Sequence, residues 1–553
     1  MSLLLQDWVT RQAELRPEAF AVVFGAERLT YGQLDKTSNQ LSGVLQKAGC
    51  HKGDRVCFLM PKSARAIISM LGILKAGCVH VPIDPGSPPL RIRKILESCD
   101  THCLIAAGTV FPLLREIFDH SPLRDQISVG WLEPQELPSP SFHVEWTAND
   151  LALMVSDPLP RQASPADPAH ILFTSGSTGV PKGVVITHSN VIHFVEWALR
   201  HFEIGSSERF SGHTPLHFDL STFDVFGTFA AGAELHMVSP ETTLSPFKLA
   251  EFIRTAELTQ WFSVPSVLNY MAKFDAVKFG DFPSLRRVLW CGEVLPTPVL
   301  SYWMRRLPHV RFTNLYGPTE ATIASSFYDV PACPDDERAP IPIGTACDGE
   351  ELIVLDPDLQ PVSPGVIGDL YIAGSGLSPG YWRDPEKTAA VFLHVSRGSN
   401  CTDRIYRTGD LARRGEDGLV YFVGRNDTQI KSRGYRIELG DIEAALSALP
   451  GLQESAVVAI DRGGFEGWLI CCAYVPQPSS LATSLSLRKE LEKHVPNYMI
   501  PARWMSCTTL PKNANGKIDR PKLKELFLQA ENSERAKVDS AHEVQVQKDS
   551  GLA

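Results

Sequence analysis

No stretch of this 553-residue chain approaches the roughly 18–20 consecutive apolar residues that a membrane-spanning helix requires. The apolar run at Leu3–Leu5 is ended by Asp7 and Arg11, far short of the apolar core of a secretory signal. An excess of basic residues is also missing. The 53 Lys and Arg stand against 63 Asp and Glu, a formal net charge of −10, which gives no electrostatic footprint for nucleic acid or an anionic membrane. Twelve cysteines are present, but none in paired C-x-x-C spacing; Cys99 with Cys103, and the adjacent Cys471 and Cys472, suit neither zinc nor a disulfide framework. Reduced thiols, as expected in the cytoplasm, account for them. No internal repeat is evident. What remains is 44% hydrophobic and 21% charged, an ordinary globular composition, on a chain too long for one core, so at least two domains are expected.

DRVCFLM (54–60), a helical stretch at 62–76 and CVHVPID (78–84) read as strand, crossover helix and strand. The pattern recurs in LHMVS (235–239), FKLAEFIRTAE (247–257), QWFSVP (260–265), RVLWCG (287–292) and VRFTNLY (310–316). Such alternation predicts an α/β fold: a large, doubly wound, largely parallel sheet covered on both faces, with ligands gathering at the carboxyl ends of its strands. Residues 133–168, rich in proline, serine and acidic groups, read as an irregular surface excursion. Near Gly424 the character shifts, and QIKSRGYRIELGDIEAALSAL with SAVVAIDR predicts a smaller α+β domain ending near residue 527. The tail, 530–553, lacks a sustained apolar face and reads as disordered.

Residues 172–190, LFTSGSTGVPKGVVITHSN, break from an apolar strand into a loop of small residues, then Lys182, then a helix starting near His188. A strand, a glycine-rich loop and a helix suit an oligophosphate, because backbone N–H groups approach closely only where Cβ atoms are missing. Gly176 and Gly179 supply that freedom, Thr174, Ser175, Ser177 and Thr178 supply hydroxyls, and Lys182 supplies a point charge. The spacing is not G-x-x-x-x-G-K-[ST], so this is a different phosphate loop. CGE (291–293) and YGPTE (316–320) also follow strand-like runs, and all three loops are expected at one sheet edge. Taken singly, several residues have plainer readings: Tyr316 as a core aromatic, Asp410 as a turn cap, Glu320 as a first-turn acid, Asp219 as a helix N-cap and Lys517 as a solvated lysine.

Further segments stand in order beside these: LTYGQL (29–34), LKAGCVHVPIDP (74–85), FDLSTFDVFG (218–227), NLYGPTE (314–320), GDLYIAGSGLSPGYW (368–382), YRTGDL (406–411), GRNDTQIKSRGYRIELGDIE (424–443) and PKNANGKIDR (511–520). Together, over residues 10–527, they resemble the adenylate-forming superfamily, and most of all the amino-acid adenylation domains of nonribosomal peptide synthetases. The resemblance implies ATP with Mg²⁺. It places Tyr316, Asn314 and Gly292 around the adenine, Thr319 at the nucleotide, and Asp410 on the ribose diol with Arg425 assisting. Glu320 becomes the metal-linked carboxylate, and Lys517, with Lys182, a cation at the reacting phosphate. No covalent nucleophile is needed, and His188, His213 and His217 receive no catalytic role.

The same resemblance makes Asp219 the partner of a substrate α-ammonium, since a buried carboxylate calls for a cation. It lines the pocket with Leu220, Phe223, Ser263, Leu289, Cys291, Leu315, Ile323 and Ala324, closed by Lys517. None but Lys517 is charged, which implies a small neutral amino acid such as alanine, cysteine or proline. It divides the chain into a core at 1–423, a hinge at 424–427 turning on Asp427, and a mobile lid at 428–529, with the Gly434 loop lining a thiolation tunnel. No condensation domain is expected before residue 10 and no carrier domain after 527, so the acceptor is expected to be a separate phosphopantetheinylated carrier protein, with free coenzyme A the alternative. The competing assignments are an acyl- or aryl-CoA ligase of the same fold and a catalytically silent ligand-binding protein.

Overall fold

A computed structural model describes residues 3–134, 142–175, 181–396, 402–462, 467–478, 480, 482–513 and 517–532. The chain divides into two compact units, one running to Asp427 and the other from Thr428, with Ser175 grouped with the second.

The first unit contains two largely parallel sheets. One has eight strands, in the order Gly380–Tyr381, Lys182–Thr187, Pro168–Thr174, Val79–Ile83, Arg55–Leu59, Cys103–Ala106, Ser128–Trp131 and Val144–Thr147. The six from Pro168–Thr174 onward are parallel. The other has nine, in the order Thr345–Ala346, Ser326–Asp329, Arg311–Tyr316, Arg287–Trp290, Gln260–Ser263, Arg209–Gly212, Glu234–Met237, Phe20–Phe24 and Glu27–Thr30. Its six central strands are parallel and its ends antiparallel.

Helices Tyr31–Lys47, Ala64–Lys75, His188–His201 and Leu220–Ala231 pack between the sheets and share one core with both. Because successive strand residues point to opposite faces, Phe262, Leu289 and Leu315 enter that inner core, whereas Trp261, Val288, Trp290 and Phe312 meet helices Pro246–Thr255, Pro265–Lys273 and Thr297–Arg306 outside it. Cys57, Leu59, Val79 and Val81 do the same against Pro89–Cys99 and Phe111–Phe118. Leu220–Ala231 is buried on every side from Leu220 to Phe229, as its nearly all-apolar sequence requires.

Three expectations need correction. The loops thought to share one sheet edge come from two sheets: the glycine-rich loop leaves the eight-stranded sheet, while CGE and YGPTE leave the nine-stranded one. Alternating strands and helices do not disclose which strands pair, because pairing is non-local. The helix expected from near His188 is present as His188–His201, capped by Thr187 and Asn190, but strand Lys182–Thr187 stands between it and the glycine-rich loop. Within 133–168 a parallel strand, Val144–Thr147, and a short helix, Ala148–Ala152, interrupt the irregular stretch; 135–141 lie outside the described residues.

An antiparallel sheet of Glu350–Leu355, Ile367–Gly374, Thr402–Arg414, Phe392–Ser396 and Val420–Arg425 completes the first unit and carries the YRTGDL segment. The second unit has a sheet of Leu452–Asp461, Trp468–Pro476 and Arg503–Ser506, helices Leu439–Ser447 and Ser484–Leu491, and a hairpin of Gln429–Ser432 with Tyr435–Glu438. A helix covers 520–532, so the expected disordered tail begins in helix; 533–553 lie outside the described residues. Every described cysteine is a free thiol, and no described helix is long and apolar enough to cross a membrane.

Candidate active site

The loop after strand Arg311–Tyr316 is the hub of the site. Three of its side chains reach three separate segments. The Tyr316 hydroxyl donates to the Asp410 carboxylate, the Thr319 hydroxyl donates to Asp219 Oδ2 at 2.7 Å, and the Glu320 carboxylate accepts from the Tyr381 hydroxyl at 2.7 Å. Tyr316, Glu320 and Asp410 are buried. Burial, with the adjacent Asp410 charge, pushes the Tyr316 phenol well above its usual range, so it remains a donor.

This loop is tightly wound. Thr322 and Ile323 have φ of 55° and 71°, a backbone region β-branched residues rarely adopt, at a cost of about 1–3 kcal/mol each. Surrounding bonds hold them there: Thr322 Oγ1 donates to the Gly376 carbonyl at 2.7 Å, and the Ser325 amide to the Tyr316 carbonyl at 2.8 Å. Gly317 is needed for the approach, because a Cβ there would lie 2.5 Å from Ala324 Cα. Gly317→Ala is accordingly expected to destabilise the protein by about 1–3 kcal/mol and displace Thr319 and Glu320. Denaturant unfolding alongside an activity assay checks this; an unchanged midpoint and rate would refute it.

Asp410 lies opposite Arg425 in the antiparallel ladder, and the two form an ion pair. Arg425 also forks onto Asp427, Nε to Oδ1 at 2.8 Å and Nη2 to Oδ2 at 2.6 Å, and donates to the Thr408 carbonyl at 3.2 Å. One guanidinium thus ties the residue expected at the ribose to the residue expected at the hinge. The Asn314 amide donates to the Pro342 carbonyl at 2.7 Å. Gly292 turns the chain after strand Arg287–Trp290.

Thr174 and Lys182 are register partners at the base of the glycine-rich loop. The Lys182 ammonium sits 5.1 Å from the Tyr381 ring centroid, so Tyr381 links Lys182 to Glu320. Gly176, Ser177, Thr178 and Gly179 lie outside the described residues. Ser175 donates to the Arg436 carbonyl at 2.7 Å. Among the described residues no group of three or more His, Cys, Asp or Glu is gathered as a metal site. The buried Glu320 carboxylate is a ligand type that fits Mg²⁺, which commonly takes one or two carboxylates and completes its shell with phosphate and water.

Asp219 stands at the N-cap position of Leu220–Ala231 but has helical φ and ψ of −63° and −31° and makes no side-chain cap. Its carboxylate meets Thr319 instead. Leu220, Phe223, Leu289, Cys291, Leu315, Ile323 and Ala324 are buried together in the inner core. Phe223 is wedged edge-on among Phe194, Phe210 and Phe262 at 5.4, 5.8 and 6.0 Å. Ser263 is buried, its hydroxyl accepting from the Trp261 indole at 2.9 Å.

In the second unit Arg433 and Gly434, with φ of 53° and 83°, form the two-residue turn between register partners Ser432 and Tyr435. Both central residues at positive φ match the turn type that suits strand twist, and glycine meets that demand without strain. Lys517 is exposed; its amide donates to Asn513 Oδ1 at 3.1 Å and its carbonyl accepts from the Asn513 amide at 2.7 Å.

The pattern of the AMP-binding enzymes matches residues 9–382, and that of the AMP-binding enzyme C-terminal domain matches 441–517. The chain belongs to the AMP-binding enzyme family. Membership implies use of ATP. This AMP-binding enzyme is 34% identical over 502 residues to an L-proline--[L-prolyl-carrier protein] ligase of Streptomyces coelicolor, covering 90% of this chain and 92% of that protein. It is 32% identical over 526 residues to tyrocidine synthase 3 of Brevibacillus parabrevis, covering 94% of this chain but 8% of that much longer protein. Among solved structures, holo-PA1221, a nonribosomal peptide synthetase protein containing adenylation and PCP domains, matches with a TM-score of 0.78 at 26% identity, covering 94% of this chain and 84% of its own.

Sequence reasoning missed Tyr381, although it quoted the segment containing it. A tyrosine after glycine carries no signal of its own; only folding brings it between Lys182 and Glu320. It also missed the left-handed pair Thr322 and Ile323, since nothing local announces that β-branched residues are held there.

Proposed function

We propose that this AMP-binding enzyme activates a small neutral amino acid and passes it to the phosphopantetheine thiol of a separate carrier protein. A carboxylate oxygen of the amino acid attacks the α-phosphorus of ATP, pyrophosphate leaves, and the aminoacyl-AMP then transfers its acyl group to the thiol with release of AMP. Mg²⁺, held at Glu320, would neutralise phosphate charge. Lys182 would hold phosphate oxygens, Asp410 the ribose diol, and Tyr316 the adenine. Lys517 would meet the carboxylate and the reacting phosphate during adenylation. Asp427 would act as hinge and the Gly434 loop would line the thiol's approach. A cytoplasmic location fits its free thiols.

The observation that carries this reading is Asp219. Its carboxylate forgoes its own helix end and accepts from Thr319, on the loop that also presents Tyr316 and Glu320. An anion so placed beside an uncharged pocket suits an α-ammonium rather than a plain acyl or aryl acid. The L-proline--[L-prolyl-carrier protein] ligase, over nearly its full length, supports an amino acid of this class and a carrier acceptor.

ATP–pyrophosphate exchange with a panel of amino acids and their deamino analogues tests it. Asp219→Asn is expected to lower kcat/KM for the preferred amino acid by roughly 30- to 150-fold, the worth of a charge-assisted hydrogen bond of about 2–3 kcal/mol. Deamino acids driving exchange as well as amino acids would instead make the protein an acyl- or aryl-CoA ligase.

A further inference from the structure

Beside the hub loop lies a buried carboxylate to which the proposed chemistry gives no role. Glu350 opens strand Glu350–Leu355, opposite Gly374 in the ladder, and its side chain is only 2% exposed. Its Oε1 accepts from the Gly376 amide at 2.6 Å. The His193 ring, on helix His188–His201, lies 3.4 Å from the same oxygen. Oε2 is buried without a hydrogen-bond partner among the described residues. Gly376 admits this approach, because a Cβ there would stand 2.9 Å from both Glu350 Oε1 and the Ala321 carbonyl. The segment that Glu350 fastens, 374–381, bonds to the hub loop along its length. The Gly376 carbonyl accepts from Thr322 Oγ1 at 2.7 Å, and the Ser378 amide donates to the Glu320 carbonyl at 2.9 Å. Tyr381, at the far end, donates to the Glu320 carboxylate. Asn190, one turn before His193, donates to the carbonyls of Ser375 at 2.8 Å and Leu377 at 3.2 Å.

A buried carboxylate adds little to stability, because a well-packed apolar side chain of similar volume serves as well or better. What it can supply is placement. Gly376 meets Glu350 through its N–H and Thr322 through its C=O, so the carboxylate and the hub loop are joined through a single residue. Tyr381, which contacts both Lys182 and Glu320, ends the same segment. We propose that Glu350 is a positioning residue that seats segment 374–381 against the hub loop, and thereby sets the spacing of Lys182, Tyr381 and Glu320 on which affinity for ATP depends. The proposal rests on the reading above that puts Lys182 and Glu320 at the phosphates.

Calorimetric titration of the full chain with ATP and Mg²⁺, well below the melting temperature and without amino acid, tests it. Glu350→Leu is expected to raise the ATP Kd about tenfold, and Thr322→Val, which keeps the shape but removes the donation to Gly376, by about the same factor. Because both act through Gly376, the double variant is expected to lose about tenfold rather than about a hundredfold. Glu350→Gln keeps an acceptor for the Gly376 amide and is expected to stay within about twofold of the unaltered protein. A purely structural carboxylate would lower the melting temperature and leave the ATP Kd of the folded protein unaltered, which overturns the proposal. So would additive losses in the double variant, or a Gln variant as weak as the Leu one. Should Glu350→Leu fail to fold, Thr322→Val decides, and an unaltered ATP Kd in it overturns the proposal. Normal ATP affinity in Lys182→Ala would instead overturn the phosphate reading, and this inference with it.

Discussion

Lys517→Ala is expected to slow amino-acid-dependent ATP–pyrophosphate exchange by roughly a hundred- to a thousand-fold, a loss of about 2–4 kcal/mol of transition-state stabilisation. The melting temperature should not move. Lys517 is exposed, and its bonds to Asn513 use only its backbone, which alanine retains. Removing the ammonium therefore costs no buried contact within its own unit. What it removes is a cation proposed to meet the negative charge that builds at the α-phosphorus as pyrophosphate departs. Pre-steady-state measurement of aminoacyl-AMP formation isolates that step. The thiolation step, started from preformed aminoacyl-AMP, should be far less affected, because the Gly434 loop is proposed to serve it. Unchanged exchange by Lys517→Ala would make the enzymatic assignment wrong.

The second large effect concerns acid. His80 and His170, register partners on neighbouring strands with stacked rings 5.0 Å apart, are buried, as are His188 and His213. Burial lowers His170 to about 3, His188 to about 4 and His213 to about 3, and holds His80 well below its ordinary value. All four are neutral in the folded chain at neutral pH, and all regain an ordinary value of about 6.5 on unfolding. The unfolded chain therefore binds more protons between about pH 6.5 and 4, and stability falls as pH drops through that window. Asp224, raised by burial, opposes this by at most about one proton. A net uptake of about three protons at pH 5 corresponds to roughly 4 kcal/mol lost per pH unit, enough to exhaust a typical stability within two units. Denaturant titrations at pH 7.5, 6 and 5 should show the fall, and His170→Asn should reduce its slope by about one proton. A stability flat from pH 7 to 5 would contradict it.

Much of the candidate site could be proposed from sequence because it is carried by short segments with their own signature. The glycine-rich loop with Lys182, the NLYGPTE and YRTGDL segments and the NGK near the end each pair a turn-forming glycine with a polar side chain, and turn chemistry is local. The α/β class was legible for a similar reason: buried parallel strands such as Val79–Ile83 and Arg287–Trp290 are short apolar runs, and amphipathic helices separate them. For Asp219 the local context offered a helix cap, which its dihedral angles and Thr319 partner exclude, and its proposed role came through resemblance alone.

Which strands share a sheet was decided by the fold alone. The nearly uniform apolar runs of parallel strands offer no alternation to name a partner, so one sheet and two read alike. The Arg425 fork joining Asp410 to Asp427, the Tyr381 link between Lys182 and Glu320, and the bonds from Lys62 to the distant carbonyls of Gly212 and His213 depend on contacts between distant segments. Sequence determined which groups are available and which turns they can occupy; tertiary structure determined which groups meet, because burial and long-range pairing are properties of the whole chain rather than of any window within it.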